Sequence, residues 1–270
     1  MNRIDVTLEA TRQARRLALF PYLMMGYPTL AGTERLALAA IDAGADGLEL
    51  GIPFSDPVAD CVTLQRAGER ARANGATPGW TLEVAARLRS QTDAPLLAMT
   101  YYNPIHRHGM AAFVKDAAAA GIDGLIVPDL PLIEASEMES AASQQGLYLI
   151  LFAAPTSTDE HLAEVGRRAR GFVYCVALVG TTGARAQLSE GLPRFMARVR
   201  KYVAQPLLVG FGISRPEHVA SLREYADGCI VGGAIADLLD SSPPDECEAR
   251  LRAYVASLRA ACEPEFTPAS

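Results

Sequence analysis

The sequence is poor in lysine, in long apolar runs, in paired cysteines and in positive charge. Two of its 25 basic residues are lysines, Lys115 and Lys201. No uninterrupted apolar stretch reaches the roughly 18 residues that a membrane-spanning helix needs. The 31 acidic residues give a net charge of −6, whereas nucleic-acid binding requires clustered positive charge. We therefore expect neither a membrane nor a nucleic acid as a partner.

The cysteines indicate a reducing compartment. Their number is odd and no C-x-x-C pair occurs, which disfavours a disulfide framework and a zinc site. Residues 1–16 alternate charged and apolar side chains and lack the apolar centre of a secretion signal. Both observations predict a cytoplasmic protein. The five cysteines are Cys61, Cys175, Cys229, Cys247 and Cys262.

Short apolar runs alternate with amphipathic, alanine-rich segments along nearly all of the 270 residues, half of which are hydrophobic. Continuous apolar runs are typical of parallel strands that are covered on both sides. Eight such strands predict an α/β protein of the (β/α)8 TIM-barrel type, with a doubly wound open sheet as the alternative. We expect one domain over residues 1–262, a flexible tail over 263–270, and an extra helix within Asn2–Arg16 at the barrel floor. The predicted strands are Leu19–Met24, Gly47–Gly51, Pro95–Tyr101, Gly124–Pro128, Leu147–Ala153, Gly171–Ala177, Pro206–Gly210 and Gly228–Gly232, and the clearest helical patterns are Thr33–Ala43, Thr81–Ser90, Met110–Ala120, Glu134–Gln145 and Pro216–Tyr225.

A short repeat supports this organisation. Residues 43–50 read AGADGLEL, residues 120–127 read AGIDGLIV, and residues 226–231 read ADGCIV. Each copy joins the end of a predicted helix to the start of a predicted strand through glycine and aspartate. The recurrence indicates the same helix-to-strand turn at three places of one fold.

Glu49 is the most informative residue at a predicted strand end, where barrels place their active sites. Leu48 and Leu50 point to the opposite face of the strand, and both faces of a barrel strand are buried. Burial raises the pKa of a carboxyl group, as a general acid or base at neutral pH requires. The alternative is a structural glutamate that pairs with backbone amides or an arginine.

Glycine pairs follow the seventh and eighth predicted strands, at Gly210–Gly212 and at Gly232–Gly233. Each precedes a predicted helix, with Ser214 expected as the N-cap of the first. Backbone amides at such positions can approach an anion, and barrels often bind phosphate there. Close packing of strand against helix is the alternative explanation of the glycines.

Other chemistries find little support. A Schiff-base aldolase needs a buried lysine at a strand end, but Lys115 and Lys201 fall within predicted helices. His106 and His108 lie on the predicted loop after the third strand and could hold a metal, although surface histidines explain them as well. His218 is expected on the surface.

Over residues 1–260 the sequence resembles the tryptophan synthase α subunit family. The resemblance implies a (β/α)8 barrel that cleaves indole-3-glycerol phosphate to indole and glyceraldehyde 3-phosphate without a cofactor of its own. It also implies a pyridoxal-phosphate-bearing tryptophan synthase β subunit as partner, in an α2β2 complex. The matching segments are FPYL at 20–23, LELGIPFSDP at 48–57, YNP at 102–104, VPDLP at 127–131, GFVY at 171–174, TGA at 182–184 and VGFGIS at 209–214.

The resemblance also implies roles for individual residues. Glu49 would move protons at indole C3 and at the glycerol hydroxyl, Asp60 would accept the indole N–H, and Tyr174 would lie beside them. Thr182 would close over the substrate and position Asp60. The phosphate would bind the backbone amides of Gly183, Phe211, Gly212, Gly232 and Gly233, while Tyr22, Tyr101 and Phe211 would border the indole.

Three residues at two places depart from the family pattern. The family usually continues after the residue equivalent to Asp60 with glycine and proline, where this chain has Cys61 and Val62. It commonly has a serine hydroxyl at the phosphate where this chain has Gly233. Three alternatives to the α reaction therefore stay open: a stand-alone indole-releasing paralogue, a silent activator of a β subunit, and a metal-dependent aldolase that uses His106 and His108.

Overall fold

The computed structural model describes residues 1–176 and 190–266. Eight parallel strands follow one another around a closed barrel, and the last pairs with the first. This arrangement confirms the predicted (β/α)8 fold and excludes the open sheet. The strands are β1 (Ala18–Met24), β2 (Leu48–Gly51), β3 (Leu96–Met99), β4 (Gly124–Ile126), β5 (Tyr148–Ala153), β6 (Val173–Val176), β7 (Leu207–Gly210) and β8 (Gly228–Val231).

Helices surround the barrel and bury their apolar faces against it. None in the described ranges is long and apolar enough to cross a membrane. A short 3-10 turn, Leu222–Glu224, follows the tenth helix. The helices are α1 (Arg3–Gln13), α2 (Leu30–Asp42), α3 (Val62–Ala73), α4 (Pro78–Arg89), α5 (Tyr102–His108), α6 (Met110–Ala119), α7 (Ser136–Gln144), α8 (Asp159–Arg168), α9 (Leu192–Arg200), α10 (Pro216–Ser221), α11 (Gly233–Asp240) and α12 (Cys247–Ala261).

The aspartates of the repeat anchor the amino ends of neighbouring strands. Asp46 accepts a hydrogen bond from the amide of Leu19 at 2.9 Å, and Asp123 accepts one from the amide of Leu96 at 2.9 Å. Asp227 accepts one from the amide of Leu207 at 2.7 Å. An arginine also pairs with each carboxylate. The repeat therefore encodes a charge-assisted link between adjacent β/α units, which is largely buried at Asp46 and Asp123 and more exposed at Asp227.

The N-terminal helix α1 closes the floor of the barrel, as predicted. The side chain of Asn2 caps this helix and donates to the carbonyl of Asp123 at 2.9 Å. Ile4 is fully buried, and its methyl groups lie 3.0–3.1 Å from where a Cβ on Gly124 or Gly171 would stand. The floor is therefore apolar and filled, which leaves the opposite end of the barrel for a ligand.

The segment after β3 differs from the prediction of a loop. His106 and His108 lie in α5, where His108 Nε2 contacts the carboxylate of Asp116 at 2.7 Å and the ring of His106 stacks on Tyr102. Each histidine thus contacts a side chain of its own helix or of α6. Within the described ranges no three His, Cys, Asp or Glu side chains are grouped as metal ligands.

The C-terminal segment lies against the helical layer. Arg223 donates hydrogen bonds to the carbonyl oxygens of Glu263, Pro264 and Phe266. The ring of Phe266 packs on the hydrophobic core. The predicted division at residue 262 stays a prediction.

Candidate active site

A cavity of about 140 Å³ opens at the carboxyl ends of the strands. This volume exceeds the roughly 10–15 Å³ needed for one water molecule and is of the order that a small ligand requires. Residues of β1, β2, β3, β6 and β8 line it, together with the loops that follow β2, β7 and β8. Eight predicted site residues are among them: Tyr22, Glu49, Asp60, Tyr174, Phe211, Gly212, Gly232 and Gly233.

Glu49 lies on the inner face of β2, next to Tyr22 of β1 in the strand pairing. Its side chain is 2% exposed, and its Oε2 atom has no hydrogen-bond partner within the described chain. Burial, followed by the negative charge of Asp60, raises the pKa of Glu49 from 4.5 to about 8. The structural alternative, a glutamate paired with arginine or amides, would have satisfied this oxygen and lowered the pKa.

Asp60 lies on the loop between β2 and α3 and faces Glu49. Burial raises the pKa of Asp60 to about 6, while a hydrogen bond from the Tyr101 hydroxyl acts in the opposite direction. The same hydroxyl accepts a hydrogen bond from the amide of Ala59 at 3.1 Å. Tyr101 is 1% exposed and lies behind Asp60, outside the cavity lining. The structure thus places it against the catalytic candidate instead of on the expected indole surface.

The two carboxyl groups hold different protonation states near neutral pH. A pKa of about 8 keeps Glu49 protonated, whereas a pKa of about 6 leaves Asp60 mostly ionised. One buried cavity therefore contains a proton donor and a separate negative charge. Environments that push two carboxyl pKa values apart in this way are typical of acid–base catalysis.

Two tyrosines form the walls around Glu49, and each requires a glycine opposite its ring. Tyr22 packs on Gly51 and Tyr174 packs on Gly210 so closely that neither glycine could carry a Cβ atom. Burial and the nearby carboxyl groups raise the pKa of both phenols well above 10. Both hydroxyls are therefore neutral and can act only as hydrogen-bond partners or apolar walls at physiological pH.

The other end of the cavity offers backbone amides. The first turns of α3 and α11 both open onto it, at Cys61 to Leu64 and at Gly233 to Ala234. The first amides of a helix lack intrahelical partners and carry partial positive charge. No lysine or arginine belongs to the part of the lining that the structure describes. An anion at this end would therefore bind the main chain.

The loop after β7 is held in an unusual conformation beside these amides. Phe211 has a φ of +72° and Gly212 a φ of +79°. Such a conformation is uncommon for a non-glycine residue and is concentrated at functional sites. The ring centroid of Phe211 lies 6.0 Å from that of Tyr174, so this backbone turn holds an aromatic wall in place.

Hydrogen bonds with His218 and Tyr254 hold the end of that loop. The predictions of a surface position for His218 and of an N-cap role for Ser214 are both wrong. His218 is 5% exposed, and its Nδ1 atom accepts a hydrogen bond from the amide of Ser214 at 3.3 Å. The hydroxyl of Tyr254 donates to the carbonyl of Ser214 at 2.9 Å. The N-cap residue of α10 is Arg215, in an extended conformation, instead of Ser214.

Further lining residues were not among the predicted site residues. Met99 and Ile230 lie near the ends of β3 and β8, so the strand-end rule could have found them. Asp237 lies one helical turn after Gly233 and could have been found from that spacing. Tyr254 of α12 lies outside the described lining and acts through its hydrogen bond to the Ser214 carbonyl. That bond spans 40 residues, so no local sequence signal could have revealed it. Thr182 and Gly183 lie outside the described residues.

Comparison with known proteins agrees with this geometry. A family model described as "Tryptophan synthase alpha chain" matches residues 8–263. The chain belongs to the tryptophan synthase alpha chain family. The tryptophan synthase alpha chain of Roseiflexus castenholzii is 49% identical over 260 residues, which are 96% of this chain and 100% of that protein. The alpha chain of Chloroflexus aggregans is 46% identical, with coverage of 97% and 99%.

Solved structures show the same likeness in three dimensions. The tryptophan synthase alpha chain of Legionella pneumophila superposes with a TM-score of 0.91 at 34% identity, covering 99% of this chain and 100% of that one. A chain of the Mycobacterium tuberculosis tryptophan synthase gives a TM-score of 0.89 at 36% identity, with coverage of 97% and 98%. The likeness to the tryptophan synthase alpha chain family therefore extends over the whole barrel.

Proposed function

We propose that this chain cleaves indole-3-glycerol phosphate to indole and glyceraldehyde 3-phosphate, the α reaction of tryptophan biosynthesis. The observation that carries the proposal is the buried carboxyl group of Glu49, whose Oε2 has no hydrogen-bond partner among the described residues and which lies near the charge of Asp60 in the barrel cavity. Family membership supports the substrate, and the pair of carboxyl groups supplies the acid–base chemistry that this cleavage needs.

In this scheme Glu49 alone carries out both proton transfers and returns to its starting state. Protonated Glu49 donates its proton to indole C3, which makes an indoleninium cation and leaves Glu49 ionised. Glu49 then takes the proton of the glycerol hydroxyl next to the ring. The O–H electrons form the aldehyde C=O, the C–C bond breaks, and its electrons restore the aromatic indole. The proton given to C3 stays on the product, and Glu49 ends protonated as it began.

Asp60 stabilises the intermediate in this scheme. Its carboxylate accepts the indole N–H bond and faces the positive charge that develops on the ring, which is an electrostatic contribution. Tyr101 keeps that carboxylate ionised and in place by its hydrogen bond. Tyr22, Tyr174 and Phe211 would enclose the indole, and the cleavage would use neither a metal ion nor a lysine imine. Lys115 and Lys201 are exposed on the outer surface.

The phosphate would bind the main chain at the other end of the cavity. Amides of Gly212, Gly232 and Gly233, together with the first turn of α3, provide donors with partial positive charge. The carboxylate of Asp237 lies at the same end but is exposed, so solvent screens its repulsion. Gly183 would add a further amide.

We further propose that a tryptophan synthase β subunit docks on the rim around the cavity, in an α2β2 complex. Val58 on the loop after β2 is 80% exposed, and Ile133 on the loop after β4 is 87% exposed. Both loops leave the carboxyl ends of the strands, where Glu49 lies. Exposed apolar side chains on one face favour a protein partner. The five free cysteines agree with a cytoplasmic location.

An indole-release assay tests the proposal. The chain is incubated with indole-3-glycerol phosphate, alone and with a tryptophan synthase β subunit, and compared with the variants Glu49→Gln and Glu83→Gln. Glu83 is an exposed residue of α4 and serves as the matched control. We expect cleavage that the β subunit accelerates, loss of it in Glu49→Gln, and wild-type rates in Glu83→Gln.

The outcomes separate the alternatives. High activity that a β subunit leaves unchanged indicates a stand-alone paralogue. Absence of cleavage together with activation of the β subunit indicates a silent partner. Near-normal cleavage by Glu49→Gln contradicts the assigned chemistry.

A further inference from the structure

Cys61 differs from the other four cysteines because its side chain is partly exposed, whereas theirs are buried. It occupies the N-cap position of α3, but its side chain makes no capping hydrogen bond. The thiol instead lines the cavity, directly after Asp60 in the sequence. Helix capping therefore does not account for a cysteine at this position.

Gly233 lies across the cavity at the first position of α11. Its backbone is not in the left-handed region, so its conformation does not require glycine. A Cβ atom at residue 233 would lie 3.4 Å from the sulfur of Cys61 and would meet no other described neighbour within 4 Å. The sulfur therefore borders the space into which a side chain at residue 233 would project.

Other glycines of the site are required by close packing or by backbone conformation. Gly51 and Gly210 lie beneath tyrosine rings, and Gly212 has a positive φ. Gly233 has neither constraint, and among the described residues a Cβ atom at this position would meet the Cys61 sulfur alone. A γ atom at residue 233 that pointed toward Cys61 would overlap the sulfur, because the Cβ atom alone would already touch it.

We infer that Cys61 and Gly233 form one specificity-determining pair at the phosphate end of the cavity. The sulfur supplies the wall over the first amides of α11 that a side chain at residue 233 would otherwise supply. Two of the departures from the family pattern, Cys61 and Gly233, are thus a single compensated change. The inference rests on the proposed function for the identity of the ligand, and on the 3.4 Å between the Cys61 sulfur and the position of a Cβ atom at residue 233 for the pairing.

Two consequences distinguish a matched pair from two independent substitutions. A side chain added at residue 233 should interfere with ligand binding while the sulfur is present and should be accommodated once the sulfur is removed. An anion bound at the first turn of α11 should also cover the Cys61 thiol. The second consequence does not depend on catalysis.

The first test compares Gly233→Ser in the wild-type background and in the Cys61→Ala background. In the wild type we expect Gly233→Ser to raise KM for indole-3-glycerol phosphate about fivefold or more, in line with the cost of overpacking a filled site. In the Cys61→Ala background we expect it to raise KM less than about twofold. Gly79→Ser, at the start of α4 with open space around it, is the control and should leave KM unchanged in both backgrounds. Equal effects of Gly233→Ser in the two backgrounds would overturn the pairing.

The second test measures alkylation of Cys61 by iodoacetamide in the wild-type protein, with the modified peptide quantified by mass spectrometry. We expect inorganic phosphate or glycerol 3-phosphate to slow this reaction several-fold, while chloride at equal ionic strength does not. Unprotected alkylation in saturating phosphate would overturn the placement of Cys61 at the anion. If the chain fails to cleave indole-3-glycerol phosphate, calorimetric binding of glycerol 3-phosphate to the same variants replaces KM, so the proposed function can fail separately from the pair.

Discussion

Replacing Glu49 by glutamine should stabilise the fold by an amount that grows with pH. The folded protein holds this carboxyl group at a pKa of about 8, against an ordinary value of 4.5. Between these values the folded state keeps a proton that the unfolded chain has lost. A raised folded-state pKa gives a stability contribution that is complete below the unfolded pKa and is lost as pH rises through the folded one.

The magnitude follows from the two pKa values. Each pH unit between them is worth about 1.4 kcal/mol. Relative to the glutamine variant, the wild type should therefore lose about 1 kcal/mol of unfolding free energy by pH 5 and about 3 kcal/mol by pH 7. The loss should level off at about 5 kcal/mol above pH 8. Any cost of an unsatisfied amide at residue 49 is independent of pH and shifts the difference by a constant.

Urea unfolding at pH 5, 6, 7 and 8 measures this difference, with Glu83→Gln as the exposed control. The stability of Glu49→Gln minus that of the wild type should rise by about 2 kcal/mol between pH 5 and pH 7. The control should show no such rise. A difference that stays constant over this range would refute the assignment of a proton to buried Glu49 at neutral pH.

Three further predictions concern the reaction itself. The pH profile of kcat/KM, which reports the free enzyme, should be bell-shaped, because the rate falls below a pKa of about 6 as Asp60 takes up a proton and above a pKa of about 8 as Glu49 loses one; a flat profile from pH 5 to 9 contradicts it. Tyr101→Phe removes the hydrogen bond that lowers the pKa of Asp60, so the acid limb of that profile should move to higher pH, and an unmoved limb would show that the bond has no such effect. Gly210→Ala places a Cβ atom in the ring of Tyr174 and should lower kcat/KM at least about tenfold by displacing the cavity wall; steady-state kinetics at wild-type levels would contradict the close packing.

Much of the barrel could be predicted because its determinants are local. Continuous apolar runs and the repeated aspartate turns each reflect one β/α unit, and eight such units close only in a few ways. Helix ends were less predictable, because they depend on contacts outside the segment. The amide and the carbonyl of Ser214 hydrogen-bond to His218 and Tyr254. The contact with Tyr254 spans 40 residues, so the local sequence does not reveal it.

In the candidate site too, features set by the local sequence could be predicted and features set by distant contacts could not. Glu49 could be singled out because a carboxyl group inside a strand is exceptional whatever surrounds it. The hydrogen bond of Tyr101 to Asp60 could not be predicted, since it depends on the path of the loop between β2 and α3. The closeness of the Cys61 sulfur to the Cβ position of residue 233 involves residues that are far apart in the sequence, and only the folded barrel brings them together.

The central claim is that Glu49 delivers the proton to indole C3 during cleavage. Its most direct test is NMR analysis of the indole released from indole-3-glycerol phosphate in D2O by the wild type, by Glu49→Gln and by Glu83→Gln. The wild type and Glu83→Gln should release indole carrying one deuterium at C3, with an equal amount of glyceraldehyde 3-phosphate, and Glu49→Gln should release almost none. Indole released by Glu49→Gln at the wild-type rate, or released without deuterium at C3, would contradict the account.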